Sequence, residues 1–191
     1  MGPENIEPEP YWRGKFPALQ DRHAVDNLFS ATYEELRRLA STVLRDDPRA
    51  TLSPTALVHE AWFKLANSPR FTATSRLHFK QIAARAMRQL LVEAARRRKA
   101  DKRGAGYALL VTFDDSLHRP AASGNEIVAL DLALGELARL NPRQALVVES
   151  RFFGGLEAPE TAELLGVSEA TIHRDWRIAK AWLARELRRA R

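Results

Sequence analysis

Apolar residues recur along most of this chain at three- and four-residue steps, the period of helices rather than of strands. Val25, Leu28, Phe29, Leu36, Leu39, Val43 and Leu44 mark a first helix from about Asp21, which Asp46-Asp47-Pro48 breaks. Ser53-Pro54 opens a second, because serine is a good N-cap and proline is tolerated in the first turn. Leu57, Val58, Ala61, Trp62 and Leu65 form its apolar face, and Asn67-Ser68-Pro69 ends it. After a polar loop, a third helix is expected from about Leu77 to Lys99, with Phe79, Ile82, Ala83, Ala86, Met87, Leu90 and Leu91 turned inward. Gln81, Arg85, Arg88, Gln89 and Arg96 fall on another face of it, so one helix carries an apolar side and a basic side.

Gly104-Ala105-Gly106 closes that unit, and the residues to about Asn125 have no helical period. They read as a linker in which Tyr107–Phe113 is a candidate short strand with no evident partner. Helical spacing returns at Glu126 with Ile127, Leu130, Leu134, Leu137 and Leu140. Asn141-Pro142 caps a further helix burying Leu146, Val147 and Val148, Gly154-Gly155 turns, and helices follow at 157–165 and 168–188. The expected fold is all-α: two small helical domains joined by a flexible linker. The boundaries are a tail at 1–20, a first domain at 21–103, a linker at 104–126 and a second domain at 127–191. No internal repeat is visible.

Composition narrows the chemistry. The 191 residues contain no cysteine, which excludes a disulfide scaffold, a thiol nucleophile and a cysteine metal site. No apolar run approaches the ~20 residues of a membrane helix, and the acidic, proline-rich start is not a signal peptide. The formal charge is +6, but its placement says more. Between Phe71 and Ala105 ten Lys and Arg residues face only Glu93 and Asp101. A concentrated basic stretch of this kind suits a polyanion, most often nucleic acid. The null alternative is a merely solvated face.

Glu160 to Arg174 has the spacing of a helix-turn-helix. Ala162 lets two helices approach, Gly166 suits a left-handed turn, Val167 fills the angle and Ser168 caps the second helix. Ile172 and Trp176 point to the core, while Thr171, His173, Arg174 and Arg177 lie on the other face. Such a helix fits the major groove of B-DNA, its N-terminal residues toward base edges. An ordinary helical hairpin with a glycine turn is the plainer alternative, but every special position holds the residue type the motif needs.

With these motifs the sequence resembles the extracytoplasmic-function (ECF) sigma factors of bacterial RNA polymerase, over roughly Asp21 to Arg189. Leu140–Leu156 and the helix-turn-helix look like the family's region 4. Ala56–Leu65 looks like the polymerase-binding segment of region 2, and Ile82–Arg103 like its promoter-melting part. The resemblance implies a cytoplasmic bacterial protein, monomeric when free and not an enzyme, with core RNA polymerase and promoter DNA as partners and no cofactor. It assigns polymerase contacts to Ala56, Leu57, His59, Glu60 and Phe63. Contacts to the −10 element fall to Arg85, Arg88, Gln89, Arg96 and Arg97, with the loop Asn67–Leu77 placed to accept a flipped base. Contacts to the −35 element fall to Thr171, His173, Arg174 and Arg177, with Lys180 on phosphate. The family's usual control is an anti-sigma factor that masks both regions.

One departure stands out. Most members carry an acidic residue before the Leu-Val of the polymerase segment, where this chain has Ala56. A lost carboxylate at a charged interface weakens binding. Thr51, Ser53 and Thr55 lie just upstream, and a phosphate on one of them would restore negative charge. Phosphorylation by a Ser/Thr kinase is therefore expected at Thr51, then Thr55, with Ser53 better explained as an N-cap. The rival function is a stand-alone helix-turn-helix regulator, which would bind its site without polymerase. No P-loop, nucleophile elbow or His-Glu-x-x-His motif suggests an enzyme, and the five histidines lack metal-ligand spacing.

Overall fold

The computed structural model describes residues 22–44, 52–68, 73, 75–101 and 124–189, with side chains omitted at a few helix ends. Within them the structure consists of α-helices and no strand: α1 (Arg22–Leu44), α2 (Pro54–Ala66), α3 (Arg76–Asp101), α4 (Gly124–Leu140), α5 (Pro142–Val148), α6 (Ala158–Leu165) and α7 (Glu169–Arg189). A π-helical segment, Glu149–Phe153, continues α5. The tail, most of the linker with its candidate strand, and Thr51 lie outside the described residues.

Local chemistry sets the helix starts. Ser53 caps α2, its hydroxyl accepting the Ala56 N–H at 3.1 Å with Pro54 in the first turn. Asn141 does the same for α5, accepting from the Gln144 N–H at 3.2 Å ahead of Pro142. The start of α6 is a capping box, in which the Glu157 N–H donates to Glu160 Oε2 at 2.8 Å. Its C-terminus is Gly166 at φ 64° and ψ 39°, a left-handed conformation that glycine adopts without a Cβ penalty. Ser168 then accepts from the Thr171 N–H at 3.3 Å and starts α7.

Two hydrophobic cores follow from these elements. The first joins α1, α2 and α3 through Leu36, Leu57, Val58, Ala61, Phe79, Ala83 and Met87. The rings of Phe29 and Trp62 stack at 4.6 Å along its rim. The second joins α4 to α7 through Leu130, Leu134, Val148, Phe153, Ile172, Ala179 and Leu183. The cores are not independent. Ile127 of α4 belongs to the first, and Ala84 of α3 belongs to the second. Helix α3 packs against α1 and α2 on one side and against α4, the π-helical segment and α6 on another.

Most of the inward residues expected from spacing are buried, and the exceptions have physical reasons. Ile82, Leu90 and Leu146 are only half-buried, at the margins of the cores. Leu140 is exposed because α4 ends there and the chain turns away at Asn141. Gln81, expected on the open face of α3, is buried, since that face is covered by the second half of the molecule. No described helix is long and apolar enough to cross a membrane.

Candidate nucleic-acid and polymerase interfaces

Helix α7 is divided cleanly between two faces. Ile172, Trp176, Ala179, Leu183 and Leu187 are buried and fix its roll against α4, α5 and α6. Asp175 is buried too, its carboxylate accepting from Arg143 Nε at 2.6 Å. The roll leaves His173, Arg174 and Arg177 exposed, with Thr171 half-buried at the first turn beside the Ser168 hydroxyl. Lys180 lies nearer the core than expected, half-buried with its ammonium 5.4 Å from the centre of the Trp176 ring. Arg151 covers that ring at 4.6 Å. Two cations on one indole hold the α5–α7 seam through cation–π attraction.

Helix α2 presents His59, Glu60 and Phe63 to solvent. Phe63 is 73% exposed, which leaves a large apolar ring without cover beside two polar side chains. His59 rests its ring against Tyr33 at 5.6 Å. Ala56 is half-buried. The structure removes Leu57 from any direct contact surface: it is 0% exposed and belongs to the first core. The register of a helix cannot offer Leu57 and the exposed ring of Phe63 to the same side. No acidic residue occupies the first turn of α2. Thr55 is exposed there.

The basic face of α3 departs most from expectation. Arg88, expected to face DNA, has a side chain only 16% exposed, set between Asp131 of α4 at 3.6 Å and Glu149 at 3.3 Å. Its guanidinium also lies 6.0 Å from the centre of the Phe153 ring. Arg96 is largely exposed but reaches Asp131 at 3.5 Å. Arg97 is open to solvent and pairs weakly with Glu93 one turn back, at 3.8 Å. Arg85 and Gln89 are half-buried. Of the loop before α3, Ala73 is buried and Ser75 caps the helix by accepting from the His78 N–H, while Pro69–Thr72 and Thr74 lie outside the described residues.

Several charged contacts were not anticipated. Lys80, with a side chain 6% exposed, bridges Glu35 Oε2 at 3.0 Å and Glu160 Oε1 at 3.3 Å. Arg76 also pairs with Glu35. The spacing Lys80, Ala84, Arg88 runs one residue per turn and could have marked this stripe as a packed face. The partners Asp131, Glu149 and Glu160 come from three other elements, and no local pattern announces them. His78 is buried on α3, and desolvation lowers its pKa below 6.5. Among the described residues no group of three His, Cys, Asp or Glu side chains is placed to hold a metal ion.

No curated protein and no solved structure matches the chain. A family model described as "ECF sigma factor" matches residues 20–189, which takes in every described helix. A match over that much of the sequence, on an all-helical chain, shows that the protein belongs to the ECF sigma factor family.

Proposed function

We propose that this sigma factor divides its work between two halves. Residues 21–103 act as region 2, which docks on core RNA polymerase through α2 and engages the −10 element through α3 and the loop before it. Residues 127–191 act as region 4, in which α6, the Gly166 turn and α7 form a helix-turn-helix that reads the −35 element as duplex. Residues 1–20 and 104–126 serve as tail and linker. The observation that carries this reading is the division of α7, with a five-residue buried stripe behind and His173, Arg174 and Arg177 in front. A helix held this rigidly, with cations on its open face, suits base edges and phosphates in a major groove.

On α2, Phe63 with Glu60 and His59 supplies the polymerase contact, and an exposed aromatic of this size suits an interface anchor. The first turn of α2 lacks negative charge. A phosphate added by a Ser/Thr kinase at Thr51, or second at Thr55, would bring about −1.5 to −2 charges there, where the helix dipole also favours an anion. Ser53 is reserved for its capping bond.

The test is equilibrium binding to bacterial core RNA polymerase for wild type, Thr51→Glu, the phosphorylated chain and Phe63→Ala. Binding that is weak in wild type, at least tenfold tighter with negative charge at Thr51, and lost in Phe63→Ala supports the reading. Wild-type binding as tight as that of the phosphorylated chain removes the kinase switch and leaves the sigma reading intact. Failure of every form, phosphorylated chain included, sinks the sigma reading. A chain that shifts its DNA site without polymerase is instead a stand-alone regulator.

A further inference from the structure

The side of α3 that the family's −10 recognition would need is not open in this structure. It is occupied by acidic side chains from the other half of the same molecule. Asp131 meets Arg88 and Arg96, Glu149 meets Arg88, and Glu160 meets Lys80. Three cations of one helix thus face three carboxylates drawn from α4, the π-helical segment and α6. The spacing of the cations along α3, at positions 80, 88 and 96, is two helical turns in each step. Anionic groups ranged along a basic helix are also what a nucleic-acid backbone presents.

Apolar contacts complete the seam. Ile127 enters the first core from α4, and Ala84 enters the second from α3. The polar fit is poorer than the apolar one. Glu149 Oε1, Ser150 Oγ, Arg88 Nε and Gln81 Oε1 are buried without a hydrogen-bond partner. Arg88 and Glu149 are close enough to attract but are not aligned to donate and accept. Buried polar atoms left in this condition favour separation into water. A seam that combines attractive charge, a small apolar anchor and unmet hydrogen bonds is suited to open when a better polyanion is offered.

We infer that the free protein is self-inhibited: Asp131, Glu149 and Glu160 mimic backbone phosphates and mask the basic side of α3, and opening the α3–α4 seam releases it for single-stranded promoter DNA. This rests on the proposed role of α3, and the experiment separates the two. Asp131→Asn, Glu149→Gln and Glu160→Gln are combined in the full chain. The glutamine at 160 keeps a carbonyl oxygen for the Glu157 N–H. A control chain carries Glu34→Gln, Glu136→Gln and Glu163→Gln, an equal change of charge at exposed sites away from the seam. A third chain carries Ile127→Ser, which loosens the apolar anchor and leaves the charge unchanged. Far-UV circular dichroism checks that each is helical.

The radius of gyration by small-angle scattering reads closure, whatever the chain binds. Fluorescence anisotropy with a mixed-sequence 12-nucleotide single-stranded DNA reads masking. The seam triple and Ile127→Ser are expected to expand by several ångströms and to bind the oligonucleotide at least fivefold tighter than the control chain. The linkage is simple: an open fraction that is small in wild type divides the apparent affinity by that fraction. Equal radii for wild type and both seam variants overturn the closed state. Expansion with affinity within twofold of the control overturns the masking. If the seam variants expand and bind DNA but no form binds core polymerase, the sigma reading fails while self-inhibition stands. If a seam variant loses helicity, the other seam variant still decides the matter.

Discussion

Replacing Arg143 by alanine should damage the protein more than neutralising the acid it holds. Asp175 lies on α7 with its side chain 3% exposed, and Arg143 reaches it from α5 through Nε at 2.6 Å and Nη2 at 3.4 Å. Breaking a fully buried pair from one side costs about 3–5 kcal/mol, because the remaining charge has no compensation. Arg143 is 44% exposed, so water reaches the stranded carboxylate in part, and the expected cost of Arg143→Ala falls to about 2 kcal/mol. Asp175→Asn keeps the shape and an acceptor and strands no anion. Its cost should be about 1 kcal/mol, the difference between a charge-assisted and a neutral hydrogen bond. In the Asp175→Asn background, Arg143→Ala should then cost little more, which makes the coupling about 1–2 kcal/mol. Urea unfolding followed by tryptophan fluorescence gives all four corners of the cycle, with Tm falling about 4–8 °C in Arg143→Ala. Additive costs, or a larger loss in Asp175→Asn than in Arg143→Ala, would refute the reasoning. Because α7 carries the proposed base-reading face, Arg143→Ala should also weaken duplex binding without touching DNA.

Three further outcomes are expected. Gly166→Ala should cost about 1–2 kcal/mol by thermal melting, since the left-handed backbone is penalised while nothing lies within 4 Å of an added Cβ; a loss no greater than Gly166→Asn would contradict the conformational origin. Ser53→Ala should lose about 1 kcal/mol and Ser53→Gly only a few tenths, as measured by denaturant midpoints, because the hydroxyl serves as a cap. His78 has its folded pKa held below 6.5 by burial, so the unfolded chain takes up a proton first as pH drops. Stability should therefore be complete above about pH 6.5 and fall as the pH drops from there toward the folded pKa. A pH series of melts on wild type and His78→Gln checks this, and an equal slope in both would exclude His78 as the source.

The helices were readable because their signals are local. Caps such as Ser53-Pro54 and Asn141-Pro142, the breaker after Leu44 and the glycine at 166 act within one or two turns. The exposed side of α7 followed from the same arithmetic, since Ile172, Trp176 and Ala179 fix which residues remain outside. The basic side of α3 was misjudged for the complementary reason. A run of Arg and Lys at helical spacing reads identically whether water, DNA or carboxylates cover it. What covers it here comes from residues 131, 149 and 160, far along the chain. Leu57 failed differently: sequence likeness named a segment, and only helical phase separates its core side from its outer side. The π-helical segment had no signature at all, because five ordinary residues continue α5 without a break in pattern.

That segment has a consequence for how sequences of this kind can drift. A π-helical turn holds one residue more than an α-helical turn, and an α-helix advances about 100° per residue. Removing one residue between Glu149 and Phe153 would let the chain relax to an ordinary helix while turning everything after it by roughly that angle relative to α5. Gly154 leaves little room to absorb such a turn, since a Cβ there would collide with the Ser150 carbonyl oxygen. Point substitutions in the segment are thus tolerable in a way that insertions and deletions are not. The aim of α7 is a matter of counting, set by the number of residues that precede it as much as by their identity.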